Sequence, residues 1–309
     1  MENIARMEKA GAVKQAARKP FLNNIWKEKI AKAIFTLTAI ISILAVVLIC
    51  VFLFANGIPA VNEIGWKEFL FGTSWAPTNQ PASYGILPMI CGSLYITAGA
   101  VIVGVPVGIL TAIFMARFCK QKWYPVLKTA VDLMAGIPSV VYGFFGLVIL
   151  VPLIRGLRDY FGGNGCSILT ASILLGIMIL PTIVSVSEAS IRAISDTYYE
   201  GARALGATHE RSVFRVIVPA ARSGIFAAVI LGVGRAIGET MAVIMVAGNQ
   251  ARIPENIFQG VRTMTANIVI EMGYATGLHR DALIATGMIL FVFILIINTI
   301  FSLLKRKEN

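Results

Sequence analysis

Apolar runs of about 20 residues, the length that crosses roughly 30 Å of hydrocarbon as a helix, recur six times in the chain. They cover residues 33–55, 86–115, 126–154, 168–186, 225–247 and 282–304. The pattern predicts an all-α, polytopic membrane protein with six transmembrane helices. It divides the chain into a charged tail (1–32), a membrane domain (33–304) and a short second tail (305–309). The second and third runs exceed a minimal span, and Pro106 and Pro138 lie well inside them. Proline removes a helix hydrogen bond, so both are candidate breaks. At Pro138 the break reads equally as a point where a gate bends or as a static kink.

Composition supports the pattern. The chain is 57% hydrophobic and 14% charged, with a mean hydropathy of +0.78, against about 25% charged in soluble domains. A water-soluble globule is excluded. The formal charge of +11 raises the question of an acidic partner, and the placement of the charges answers it. Of the 27 basic residues, nineteen fall in the two tails, the 117–122 loop and the 188–222 loop. Short cytoplasmic loops are enriched in Lys and Arg, so these segments and both termini are expected to be cytoplasmic. The opposite side balances to zero. The excess charge therefore reports orientation and membrane-surface contact, and no nucleic-acid partner is implied.

Several chemistries find no support. Cys50, Cys91, Cys119 and Cys166 form no CxxC pair and read as small buried hydrophobes. Gly201–Thr208 has P-loop glycine spacing, but Ala207 stands where lysine is required, so this chain should not hydrolyse ATP. Gly232, Gly234 and Gly238 miss the dinucleotide spacing by one residue and fit close helix packing better. His209 and His279 fall on opposite sides, in expected surface or loop roles, and no serine elbow is present. The first span follows a charged tail without a small-residue cleavage site, which favours a retained anchor.

The 188–222 loop is the most polar interior segment. Thr197 and Glu200 fit a capping box, Gly206 can end that helix in the left-handed conformation, and Thr208 can cap a second. The expected form is helix, sharp turn, helix. Here the chain reads Glu200-Gly201-Ala202, then Gly206, then Val216-Ile217-Val218-Pro219. This resembles the Glu-Ala-Ala loop of permease subunits of ATP-binding-cassette importers of type I architecture. Gly201, Val216 and Val218 are modest departures. The resemblance implies that Glu200, Gly201, Ala202, Gly206 and Pro219 belong to a short helix that docks on a separate ATPase dimer. Glu200 would fix the loop by capping and ion pairing.

Two pairs of charges fall inside spans. Arg235 is about 15 Å from residue 225 at 1.5 Å per residue, near the midplane, with Glu239 one turn on along the same face. Groups at that depth face the bundle interior or water. Two readings are open: Arg235 supplies planar donors for a crossing oxyanion while Glu239 holds it in place, or the two form a self-neutralising packing pair. Lys128 and Asp132 lie near the start of span three, where Lys128 can reach water and a structural role is expected.

The blocks Ala135–Gly143 and Gly234–Ala242, with Trp75-Ala76-Pro77 and Tyr84-Gly85-Ile86-Leu87-Pro88, resemble phosphate-specific permeases of the PstC type. That resemblance implies Arg235 and Glu239 on the substrate path and a second permease of PstA type. It also implies an extracytoplasmic phosphate-binding protein at 56–84 and 248–281, and placement in a bacterial or archaeal cytoplasmic (inner) membrane. No cofactor is expected on this chain; ATP would be used by the partner. Rivals are a permease for sulfate or molybdate in the same architecture and an ion-coupled carrier relaying protons through Asp132 and Glu239.

Overall fold

The computed structural model describes the backbone of residues 2–156 and 164–307, and side chains within 27–156, 164–300 and 302–303. The charged side chains before Lys27, those of Arg158 and Asp159, and those of 305–308 lie outside the described residues. Two units are present, Met1–Ala55 and Asn56–Asn309. The first lies within helix α1 (Glu2–Ile64), where Ile34, Phe35 and Leu48 are exposed, the pattern of a helix meant for hydrocarbon.

In the second unit, α2 (Trp66–Phe71) precedes a small hairpin, β1 (Trp75–Ala76) antiparallel to β2 (Ser83–Tyr84), with Trp75 opposite Tyr84. Then come α3 (Leu87–Ile113, extended by a π turn Phe114–Phe118), α4 (Tyr124–Gly136), α5 (Ser139–Phe145), α6 (Val151–Arg155) and α7 (Ile168–Arg192). The loop helices are α8 (Asp196–Ala204), α9 (His209–Ser212) and α10 (Val218–Ala220). After them follow α11 (Arg222–Gly238), α12 (Met241–Val246), α13 (Met264–Glu271) and α14 (Gly277–Lys307).

Four helices are long and apolar enough to cross a membrane unbroken: Lys27–Ile64, Leu87–Phe118, Ile168–Arg192 and Gly277–Ile300. Two bent pairs, Tyr124–Gly136 with Ser139–Arg155 (96°) and His209–Ala220 with Arg222–Gly238 (68°), give up to six if each pair is one span. Of the two prolines, only Pro138 breaks its helix. Ile137, held extended by the following ring (φ −70, ψ 126), ends α4, and the Tyr142 hydroxyl donates at 2.9 Å to the Met134 carbonyl that Pro138 cannot reach. Pro106 stays inside α3, which lies tight against α7: a Cβ at Gly104 would be 2.8 Å from the Gly176 carbonyl oxygen.

The fifth run departs from its continuous reading. α11 stops at Gly238, Glu239 is extended (φ −70, ψ 132), and the chain restarts as α12. The polar loop also begins later than residue 188, because α7 continues to Arg192.

α7 is the central helix, with 67% of its apolar window buried against 33% for Leu87–Phe118 and 22% for Gly277–Ile300. Leu174, Leu175, Met178 and Ile179 of α7 pack with Ile96 and Ala100 of α3 and with Ala242, Val243 and Val246 of α12. The two half-helices that follow the breaks also meet. A Cβ at Gly143 of α5 would lie 2.7 Å from the Met245 sulfur and 3.0 Å from the Ala242 Cα. Gly143→Ala is therefore expected to cost about 1–3 kcal/mol by overpacking, seen as a lower thermal midpoint of the purified protein in detergent. An unchanged midpoint would mean that α5 and α12 separate freely.

Candidate functional site: a broken span and a polar hairpin

Arg235 lies about 20 Å along α11 from Arg222 at 1.5 Å per residue. Its side chain is exposed, together with Leu231 and Gly238 on the same strip. Glu239 is not on that strip. A carboxylate one turn on needs an unbroken helix, and Gly238 ends it. The Glu239 side chain instead accepts the Ala242 N–H at 3.2 Å, capping α12, while its carbonyl accepts the Thr265 hydroxyl at 3.2 Å. The ion pairs among the described residues include neither Arg235 nor Glu239. The Arg235–Glu239 contact that both readings share, as a packing pair or as Glu239 holding Arg235 in place, is thus not formed, and Arg235 presents its guanidinium outward beside the break. The glycine packing expected of this stretch holds in part: a Cβ at Gly232 would be 2.9 Å from Ile183, whereas Gly234 and Gly238 have no neighbour within 4 Å.

The 196–219 hairpin takes the expected helix, turn, helix form. Its first cap is Ser195 rather than Thr197: the Ser195 hydroxyl accepts the Thr197 N–H at 3.4 Å. Two hydroxyls two positions apart compete for this place, and the chain enters the helix at the earlier one. Gly206, at φ +84, ends α8. Its N–H reaches the Arg203 carbonyl at 2.9 Å and that of Ala207 reaches Ala202 at 3.1 Å, the two bonds of a left-handed helix stop. Thr208 caps α9 as expected, accepting the Arg211 N–H at 3.3 Å. Hydrogen bonds from the backbone and the Thr208 hydroxyl hold the Glu210 carboxyl below the usual carboxylate range.

Glu200 neither caps nor pairs among the described residues and faces solvent with Gly201, while Ala202 is half-buried. Pro219 opens the last turn of the hairpin, in α10. At the tip Leu205 is 91% exposed. The hairpin is braced from below by His209, whose Nδ1 lies 2.9 Å from the Tyr199 hydroxyl and whose ring meets Phe118 edge-on at 4.8 Å. His209 is therefore a packing residue and not a free loop side chain.

Lys128 and Asp132 pair at 3.4 Å. Sequence reasoning missed that Lys128 also lies 3.8 Å from Glu188, a carboxylate only 3% exposed on α7. It also missed a second buried carboxylate at the other end of the bundle. Glu271 accepts from Trp75 Nε1 at 2.8 Å and from Arg262 at 2.6 Å, and lies 2.8 Å from His279 Nε2. This joins the β1–β2 hairpin, α13 and α14, so His279 is also structural. Burial, and then the nearby Glu271 charge, push the Tyr274 hydroxyl up.

The sequence profile of a family described as binding-protein-dependent transport system inner membrane component matches residues 104–308. A protein of Bacillus subtilis (strain 168), described as the probable ABC transporter permease YqgH, is 39% identical over 89% of this chain and 91% of its own length. The phosphate transport system permease PstC of Mesorhizobium japonicum is 36% identical over 82% of each. That of Haemophilus influenzae is 33% identical over 93% of this chain and 94% of its own. Among solved structures, a permease chain of a bacterial alginate ABC transporter aligns with a TM-score of 0.59 at 18% identity, over 88% of this chain and 94% of that one. One of the MetNI methionine transporter aligns at 0.53 and 19% identity, over 73% and 94%. These two share the fold. With its multi-pass helical bundle, its 196–219 hairpin and relatives of this identity along most of its length, the chain belongs to the binding-protein-dependent family of ABC-transporter inner-membrane permeases.

Proposed function

We propose that this chain is one of two permease subunits of an ATP-driven phosphate importer, its partner being of the PstA type. The observation that carries the reading is Arg235. A guanidinium deep in a span, on an exposed face and without a carboxylate partner, suits planar, bidentate contact with an oxyanion. The exposure of Leu231, Arg235 and Gly238 leaves that face for the second permease, so that the path runs between the two subunits. The relatives named as phosphate permeases support phosphate as the anion.

The hairpin tip, Glu200 to Gly206, would dock on a separate ATPase dimer. ATP is consumed there, and this chain binds no cofactor. An extracytoplasmic phosphate-binding protein would deliver substrate to the 56–84 and 248–281 loops, at the end opposite the hairpin. Both termini, with the hairpin, face the cytoplasm, in keeping with the excess of Lys and Arg there.

The test is reconstitution of this chain with the second permease and the ATPase in vesicles that enclose ATP. Expected is phosphate uptake that requires both ATP and the binding protein, with sulfate and molybdate competing poorly. Uptake driven by a proton gradient without ATP would overturn the reading.

A further inference from the structure

We propose that Glu188 is the positioning residue through which motion of the 196–219 hairpin reaches the broken third span. The proposal rests on the docking of the hairpin to an ATPase. The hairpin is tied to the bundle by two arginines. Arg117, at the end of α3, donates to the Asp196 carboxylate at 2.8 Å and to the Ile191 and Ile194 carbonyls at 3.3 Å each. Arg192, the last residue of α7 before the hairpin, donates to the Met115 carbonyl at 2.9 Å and to the Glu188 carboxylate.

From Glu188 the connection crosses to another element. Its Oε1 accepts the Tyr124 hydroxyl at 3.0 Å, its Oε2 is 3.8 Å from Lys128, and the Arg192 guanidinium covers the Tyr124 ring at 4.0 Å. Tyr124 and Lys128 are both on α4, the half-helix that ends at the 137–138 elbow. Beyond the elbow, α5 lies on α12 with no room for a Cβ at Gly143, and α12 begins next to Glu239, four residues from Arg235.

A carboxylate on a residue only 3% exposed needs its donors, because an unpaired buried charge is strongly unfavourable. Glu188 therefore holds α4 to α7 in one arrangement. A shift of the hairpin that moves Arg192 must move Tyr124 and Lys128 with it. Two breaks in the spans, at 137–138 and at 239–240, give the moved segments somewhere to pivot. Coupling requires an element with two arrangements biased from a distance, and α4, pivoting at its elbow, is the element to which the proposal assigns that part.

The experiment places one cysteine at Ala135, exposed beside the elbow, in a chain whose Cys50, Cys91, Cys119 and Cys166 are replaced by alanine. The labelling rate in the assembled transporter is measured with a maleimide, with and without ATP and vanadate. With Glu188 intact, ATP should change the rate by about fivefold or more, the lower end of ordinary coupling between sites. In Glu188→Gln the change should be lost while ATP hydrolysis persists. Tyr124→Phe, which keeps the ring under Arg192 and removes only the hydroxyl, should give a reduced response.

A full response in Glu188→Gln would overturn the proposal, as would the absence of any ATP response with Glu188 intact. If Glu188→Gln fails to assemble, Tyr124→Phe decides: a reduced response supports the relay and a full one overturns it. An ATP response at Ala135 without phosphate uptake would refute the phosphate reading and leave the relay standing.

Discussion

Arg235→Gln is expected to lower phosphate uptake about 10- to 100-fold, the loss that follows from removing a charge-assisted hydrogen bond of about 1.5–3 kcal/mol. Assembly with the second permease and docking of the binding protein should be unchanged. The variant that separates transport from packing is Glu239→Gln. Glu239 holds the Ala242 N–H at 3.2 Å, and a glutamine amide oxygen can accept the same bond. Transport by Glu239→Gln should therefore stay within a few-fold of the unsubstituted protein, consistent with the order of magnitude of one neutral hydrogen bond exchanged for another. Equal losses in the two variants would show that Arg235 and Glu239 act as a pair after all. Measurement is initial-rate uptake of labelled phosphate into vesicles, normalised to assembled complex.

The second large effect is expected at the hairpin tip. Leu205 is 91% exposed, and a leucine held out by a left-handed turn has its apolar surface available for a socket on the ATPase. Burying such a side chain contributes about 1.5–3 kcal/mol, and an aspartate in its place adds the desolvation of a charge. Leu205→Asp should weaken ATPase association by about 100-fold or more on that basis, measured by the ATPase retained when the membrane complex is purified. The turn itself should survive, since Gly206 and its two hydrogen bonds remain. Retention of the ATPase at the level of the unsubstituted protein would place the docking surface elsewhere on the loop.

The six apolar runs were legible because a span leaves a long, simple mark. The hairpin was legible for a different reason: its turn is coded by neighbours. Gly206 and Thr208 act within five residues of themselves, so the left-handed stop and the second cap follow from local rules. The first cap was misplaced by two positions because Ser195 and Thr197 are chemically equivalent candidates, and only packing of the chain entering α8 distinguishes them.

The break in the fifth span is harder to read. No proline marks it, and Gly-Glu-Thr within an apolar run also fits a continuous helix. The break exists because the Glu239 carboxylate and the Thr265 hydroxyl take over hydrogen bonds that the helix gives up, and the second of these comes from another element. Glu271 shows the limit most plainly. Trp75 and Glu271 are 196 residues apart, and nothing local to either signals the other. The 188–222 segment misled for the opposite reason, since Glu188 and Arg192 are polar enough to suggest a loop. Their side chains satisfy one another, so α7 continues through them.

The outward-facing Arg235 also bears on how the protein is made. Inserted alone, the subunit would set a guanidinium against lipid at depth, at a cost of roughly 2.5–3.5 kcal/mol on insertion scales. Covering that face removes the cost. Surplus copies made without a companion would therefore be the less stable population in the membrane, and their lifetime would follow the supply of the companion. The same residue that suits an anion path would in this way keep the two halves of the path in equal number.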